Sequence, residues 1–296
     1  MDSGPFSREI SRRGFLAGTA GVALAAATAT ATAGPAGALL GAKNTAISPL
    51  VLSSDLYASG SPQRFVFAIA RGSKYASFGP AQVAFAPPGA TQADVLDTNL
   101  YKDGLPKGRG IYVVDTVFPV AGNYKAAAVV GGKKVPFAIQ VKSAAEAPVV
   151  GTAAPRGPSP TPSNTMGVNP ICTRVPACPL HDVSLSDVIG TGKPVVAMFA
   201  TPELCQSQYC GPVLDELLDL MAPYRDKMAM VHVEIYQANK GPNVAKQAPT
   251  VAAWGLPSEP WLFAIDGNGV IKTRLDGAIA ENEIKTALDQ LAATSP

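Results

Sequence analysis

Between residues 144 and 170 six prolines, Pro148, Pro155, Pro158, Pro160, Pro162 and Pro170, are interspersed with Gly, Ser, Thr and Ala. The composition changes character here, with a separate domain expected on each side. The stretch itself has too little apolar area to offset its ordering entropy, and is expected to be a semi-extended linker that leaves its neighbours loosely coupled. A chain of 296 residues, 47% of them hydrophobic, is long enough for about two domains of ordinary size. They are expected at 43–143 and 171–296.

The first flank alternates with a period of two. Residues 64–70, 81–85, 110–117, 124–130 and 135–141 are β-branched or aromatic runs separated by Gly and Pro turns, and read as strands of an all-β sandwich. Phe118-Pro119-Val120-Ala121-Gly122-Asn123-Tyr124 resembles the approach to a late strand of immunoglobulin-like domains, where a tyrosine closes the corner. No cysteine or tryptophan falls here, so the disulfide and tryptophan of antibody domains are missing, and a binding or spacer role is expected.

Ahead of it, Ser11-Arg12-Arg13-Gly14-Phe15-Leu16 leads into an Ala/Thr/Gly-rich apolar stretch over 17–33. This resembles a twin-arginine export signal occupying 1–42, with small residues at Ala36-Gly37-Ala38 and Leu40-Gly41-Ala42 as cleavage candidates. An extracytoplasmic protein is expected, periplasmic, cell-wall-associated or secreted, with membrane association only through an uncleaved signal. Twenty-four Lys plus Arg against 22 Asp plus Glu give a net charge of +2, so no basic field recruits nucleic acid.

After the prolines the period changes. Residues 195–200 form a compact apolar run, Pro212 to Met221 carries Val213, Leu214, Leu217, Leu218 and Met221 at helical spacing, 230–236 alternates, and 261–265 is a third strand. Asp266-Gly267-Asn268-Gly269 is a hairpin turn to a strand over 270–275, and 280–291 closes as an amphipathic helix. The second flank is thus expected to be an α/β fold.

Three anchors in that order carry a resemblance to the thioredoxin superfamily: Lys193-Pro194-Val195-Val196 entering Phe199, Cys210-Gly211-Pro212 opening a helix, and Pro260 in Glu259-Pro260-Trp261. The resemblance implies a cysteine at a helix N-terminus, where the dipole lowers its pKa. It gives Cys210 the attacking position, Cys205 the resolving one in a Cys-x4-Cys pair, and Pro260 the place of a cis-proline that holds a substrate strand. Met198 stands where thioredoxins keep a buried acid, Glu234 is the nearest substitute, and Glu259 is placed to face the pair and raise its thiol pKa values. The implied function is thiol–disulfide exchange with protein thiols and disulfides, without a cofactor. Thr201-Pro202-Glu203-Leu204-Cys205 also resembles the peroxiredoxin segment, which would make Cys205 peroxide-reactive.

Cys172 and Cys178, bracketed by Pro170, Pro176 and Pro179, read as a structural disulfide in an oxidising compartment. No metal is expected: Cys-x5-Cys followed by Cys-x4-Cys lacks zinc-knuckle spacing, His232 falls inside a strand, and His181 beside Asp182 reads as an exposed turn residue. Copper delivery by Cys205, Cys210 and a histidine ranks below exchange, as does a scaffold with two structural disulfides.

Overall fold

A computed structural model describes residues 46–72, 74–76, 78–205, 207–241 and 246–293. The expected export signal over 1–42 lies outside the described residues. Among those described, no helix is long and apolar enough to cross a membrane.

The first part is two antiparallel sheets facing each other. One runs β1 (Ile47–Val51), β2 (Gln63–Arg71), β7 (Ile111–Thr116), β6 (Asn99–Tyr101), with β3 (Lys74–Ala76) also on β2; the other runs β5 (Asp94–Asp97), β4 (Ala81–Ala86), β8 (Gly122–Val130), β9 (Lys133–Val141). Phe65, Phe67 and Ile69 of β2 meet Val83, Phe85, Tyr112 and Tyr124 between the sheets. The Tyr124 hydroxyl donates to the Val120 carbonyl at 2.9 Å, closing the turn into β8. The five expected strands are all present. β1, β3, β5 and β6 are additional, and at three to five residues each they are too short to show a period.

β2 is buried on both faces. Its run Phe65-Val66-Phe67-Ala68-Ile69-Ala70 is continuous rather than alternating, as in strands covered on two sides. The cover is the second part: Val66, Ile111 and Val113 join one apolar cluster with Leu275, Ala278 and Ile279.

In the second part the sheet order is β11 (Ala229–Val233), β10 (Val195–Phe199), β12 (Trp261–Ile265), β13 (Ile271–Asp276), with β11 parallel to β10 and the other pairs antiparallel. Four helices accompany it: α1 (Leu185–Val188), α2 (Cys210–Leu220), α3 (Pro249–Ala253) and α4 (Glu281–Ala293). The expected order of strand, helix, strand, hairpin and helix is observed. β10 divides its side chains by parity: Val196 and Met198 pack with Val213, Leu217 and Leu288, while Val195, Ala197 and Phe199 pack with Leu185, Val251 and Trp254. The Asp266–Gly269 turn closes with Gly269 N–H on the Asp266 carbonyl and the Asp266 carboxylate accepting from Asn268 and Val270 N–H.

The proline-rich stretch is not a loose spacer. Gly151 and Ala154 N–H donate to Ile271 and Gly269 carbonyls, and Thr152 accepts from Ile271, so the stretch continues the sheet beyond β13. Ser159 Oγ accepts Leu185 N–H and supplies the missing cap of α1. Ala147, Ala154 and Val168 are buried in the same apolar cluster as Val195 and Trp261. Prolines forbid regular structure but leave neighbouring N–H and C=O groups free to pair.

The two parts meet tightly at Gly277. Its φ is +69°, and a Cβ there would lie 2.3 Å from the Leu52 carbonyl oxygen. Gly277→Ala is expected to cost at least about 1 kcal/mol from the left-handed backbone alone. The blocked contact adds to this, and a urea midpoint unchanged from wild type would contradict it.

Candidate active site

Cys210 is the first residue of α2, and Pro212, two residues later, lies in the first turn, where no intrahelical partner exists for its missing N–H. Cys205 sits in the preceding loop. Its sulfur accepts the Cys210 backbone N–H at 3.3 Å and lies 3.2 Å from Ser207 Oγ. Glu259, two residues before the start of β12, completes the group, and its carboxylate and the two sulfurs lie within 4.8 Å of one another. The Glu259–Pro260 bond is cis, and Pro260 is buried.

Exposure and acidity divide the two thiols. Cys205 is half-buried and its pKa is lowered to about 6, chiefly by the hydrogen bond from Cys210, then by Ser207 and the backbone N–H groups of Cys210 and Tyr209, against the opposing effect of burial. Cys210 has no exposed surface, and burial, its hydrogen bond to Cys205 and the charge of Glu259 push its thiol well up. The sulfur with accessible surface, and the one whose pKa is lowered, is Cys205 rather than Cys210, to which the resemblance gave the attacking position.

Glu259 is itself buried, and desolvation followed by the charge of Cys205 pushes its carboxyl well up. Tyr236 Oη donates to it at 3.5 Å. Glu234, the substitute acid of the sequence reading, is occupied elsewhere: Thr173 donates to it through N–H at 2.6 Å and Oγ1 at 2.9 Å. Burial raises its pKa too. The carboxylate facing both sulfurs is Glu259.

The first part contributes residues that no sequence motif marks. Arg109 Nη2 donates to Gln208 Oε1 at 2.6 Å, and its guanidinium stands 4.6 Å from the Tyr75 ring centroid and 5.5 Å from that of Tyr209. Gln208 holds a left-handed backbone, φ 62°, between the two cysteines. Lys74, Tyr75, Lys107, Arg109, Ser207 and Gln208 line a groove of about 450 Å³, which opens beside the loop carrying Cys205. Only the fold joins positions a hundred residues apart.

Cys172, Cys178, Cys205 and Cys210 are all free thiols in this structure, and the sulfurs of Cys172 and Cys178 lie 3.8 Å apart, against the about 2.05 Å of a disulfide. His181 and His232 stand with Cys172 and Cys178, and these four are buried. His181 is therefore not an exposed turn residue. It is drawn inside because Leu180 accepts His232 N–H along the edge of β11, which carries the next residue under the sheet. The signal that could have found this group is the Cys178-x2-His181 spacing, hidden when cysteines alone are counted.

No protein-family model matches the chain, and no curated protein matches it. Among solved structures it is similar to one assigned as a thiol:disulfide interchange protein DsbE from Chlorobium tepidum (21% identity, 50% of this chain and 97% of that one, TM-score 0.34). It is also similar to one assigned as a protein disulfide isomerase from Bacteroides thetaiotaomicron (15%, 50% and 90%, TM-score 0.35). A third is a thiol:disulfide interchange protein of the thioredoxin family from Chlorobium tepidum TLS (16%, 49% and 99%, TM-score 0.33). These likenesses cover about half the chain at TM-scores below 0.5.

Proposed function

We propose that the chain is an exported thiol–disulfide oxidoreductase acting on protein thiols, with a thioredoxin-like part over 171–296 behind an immunoglobulin-like sandwich over 43–143. The observation that carries the reading is the pairing of a half-exposed, acidified Cys205 with a buried Cys210 at a helix N-terminus, beside the buried Glu259, whose carboxyl is pushed well up by desolvation. In the oxidised protein a substrate thiolate attacks Cys205 Sγ. The Cys205–Cys210 bond breaks, and Cys210 leaves as a thiolate and takes the proton of Glu259, which is replaced from solvent. A second substrate thiolate then attacks its own sulfur in the mixed disulfide and expels the Cys205 thiolate. Two electrons pass from the substrate dithiol to the cysteine pair, and an external disulfide restores it.

Pro260 stays in the proposed site because its neighbour Glu259 faces both sulfurs. The three cations around the groove, Lys74, Lys107 and Arg109, favour a substrate with acidic residues flanking its cysteine. The twin arginines at Arg12 and Arg13 support an extracytoplasmic setting, where disulfides persist.

Trapping tests the reading. Cys210→Ser is expected to accumulate a mixed disulfide through Cys205 when offered an oxidised peptide, because the resolving thiol is gone. The wild-type pair is expected to titrate in glutathione buffers. A Cys205–Cys210 disulfide that resists reduction below about −300 mV is structural and ends the proposal. Peroxide consumption that survives in Cys210→Ser but not in Cys205→Ser, with no exchange in either, assigns the site to a peroxidase instead.

A further inference from the structure

The second cysteine group has the geometry of a metal centre. The sulfurs of Cys172 and Cys178 are 3.8 Å apart. Cys178 Sγ lies 3.3 Å from both His181 Nε2 and His232 Nδ1, Cys172 Sγ is 3.9 Å from His232 Nδ1, and the two ring nitrogens are 3.2 Å apart. A tetrahedron with zinc–sulfur bonds of about 2.3 Å and zinc–nitrogen bonds of about 2.05 Å has edges of about 3.8 Å between sulfurs, about 3.5 Å from sulfur to nitrogen and about 3.3 Å between nitrogens. All the measured edges fall within about 0.4 Å of these values.

A second observation is independent of those distances. His232 Nε2 lies 3.1 Å from the Ala200 carbonyl, which can only accept. The proton is therefore on Nε2, and the lone pair of Nδ1 is turned towards Cys172, Cys178 and His181. A backbone carbonyl on the far ring nitrogen is the usual support of a metal-bound histidine, because it fixes the tautomer and the ring plane. Burial of all four side chains, with relative exposures of 6%, 6%, 4% and 0%, leaves no open coordination position for a substrate. That describes a structural ion rather than a catalytic one.

We propose that Cys172, Cys178, His181 and His232 bind one zinc ion in a closed tetrahedral Cys2His2 site. Two thiolates and two neutral imidazoles neutralise the ion's charge and suit zinc in both softness and geometry. Three ligands come from one short loop and the fourth from β11, so the ion staples that loop to the sheet. Thr173, inside the loop, bonds Glu234 and accepts Glu203 N–H at 3.2 Å, two residues before Cys205. The metal site stands on its own geometry whether or not the neighbouring pair exchanges disulfides.

Elemental analysis of the full chain, purified reduced and dialysed against trace zinc, is expected to give about one zinc per chain. The ion is expected to be lost in His181→Ala and in His232→Ala, and retained in Cys205→Ser and Cys210→Ser. The wild-type protein needs no folded variant. Cobalt in place of zinc is expected to show thiolate-to-metal charge transfer and the intense d–d bands of a tetrahedral ion, and strong chelation to expose two further thiols to alkylation. Failure to take up zinc stoichiometrically overturns the proposal, as does zinc content unchanged in His232→Ala. A Cys172–Cys178 disulfide in the protein isolated from its own compartment overturns it too.

Discussion

Replacing Cys205 with serine is expected to reduce thiol–disulfide exchange to the uncatalysed background, while in the wild type the alkylation rate of the reduced protein rises through a midpoint of about pH 6. The sign follows from the thiolate being the reactive form. Cys205 is depressed from its ordinary value, so its charge is present above the midpoint and lost as the pH falls through it. At pH 7 such a thiol is about 90% ionised, against about 3% for one of pKa 8.5. That thirtyfold gain in thiolate is largely cancelled, because a thiolate stabilised by about 2.5 pKa units loses roughly tenfold or more in intrinsic nucleophilicity. Net attack is thus only a few times faster than that of a free cysteine.

The larger consequence is for departure. A stabilised Cys205 thiolate leaves a mixed disulfide readily and holds the pair in its reduced state, which makes the oxidised protein the stronger oxidant. The pair is expected to poise above about −200 mV, with a potential that falls by about 30 mV per pH unit above pH 6 and about 59 mV below it, since only Cys210 then takes up a proton on the alkaline side. Ser207→Ala, which removes one hydrogen bond to the Cys205 sulfur, is expected to move the alkylation midpoint upwards. A midpoint near 8.5 in the wild type, or one indifferent to Ser207, would leave Cys205 an ordinary thiol.

How much of this could be read beforehand depended on whether the cause was local. The run at Phe65 to Ala70, the Asp266 to Gly269 turn and the Gly211-Pro212 helix start carry their own backbone instructions, and each was placed correctly. The three-residue strands Lys74–Ala76 and Asn99–Tyr101 carry too little period to register. The difference in exposure between Cys205 and Cys210 was invisible because burial is decided by the neighbouring segments. His181 and His232 are 51 positions apart, and nothing at either residue announces the other. The composition of 144–170 suggested a semi-extended, loosely coupling linker. It said nothing of Ser159 capping α1 or Thr152 pairing with Ile271, because such contacts need the second part already folded.

The coupling of the two parts yields the other large effect. Arg64 of β2 is almost wholly buried, and its guanidinium satisfies four acceptors across the boundary: both carboxylate oxygens of Glu283, at 2.6 and 2.9 Å, and the carbonyls of Asp276 and Ala278, at 2.7 and 2.6 Å. Glu283 also accepts the N–H of Ala280 and so caps the start of α4. Arg64→Ala leaves a carboxylate and two carbonyls desolvated without their donor, and is expected to destabilise the protein by about 3 to 5 kcal/mol, the range for breaking one side of a buried pair. Glu283→Gln keeps the shape and one acceptor, and should cost less. The double change Arg64→Met with Glu283→Leu should cost less than Arg64→Ala alone, since neither charge is then stranded. If Arg64 is what makes the sandwich and the α/β part unfold together, its loss should also split a single denaturation transition into two. A loss below about 1 kcal/mol would place this contact with exposed ion pairs, and the apolar meeting of Val66, Ile111 and Leu275 would then be what holds the parts together.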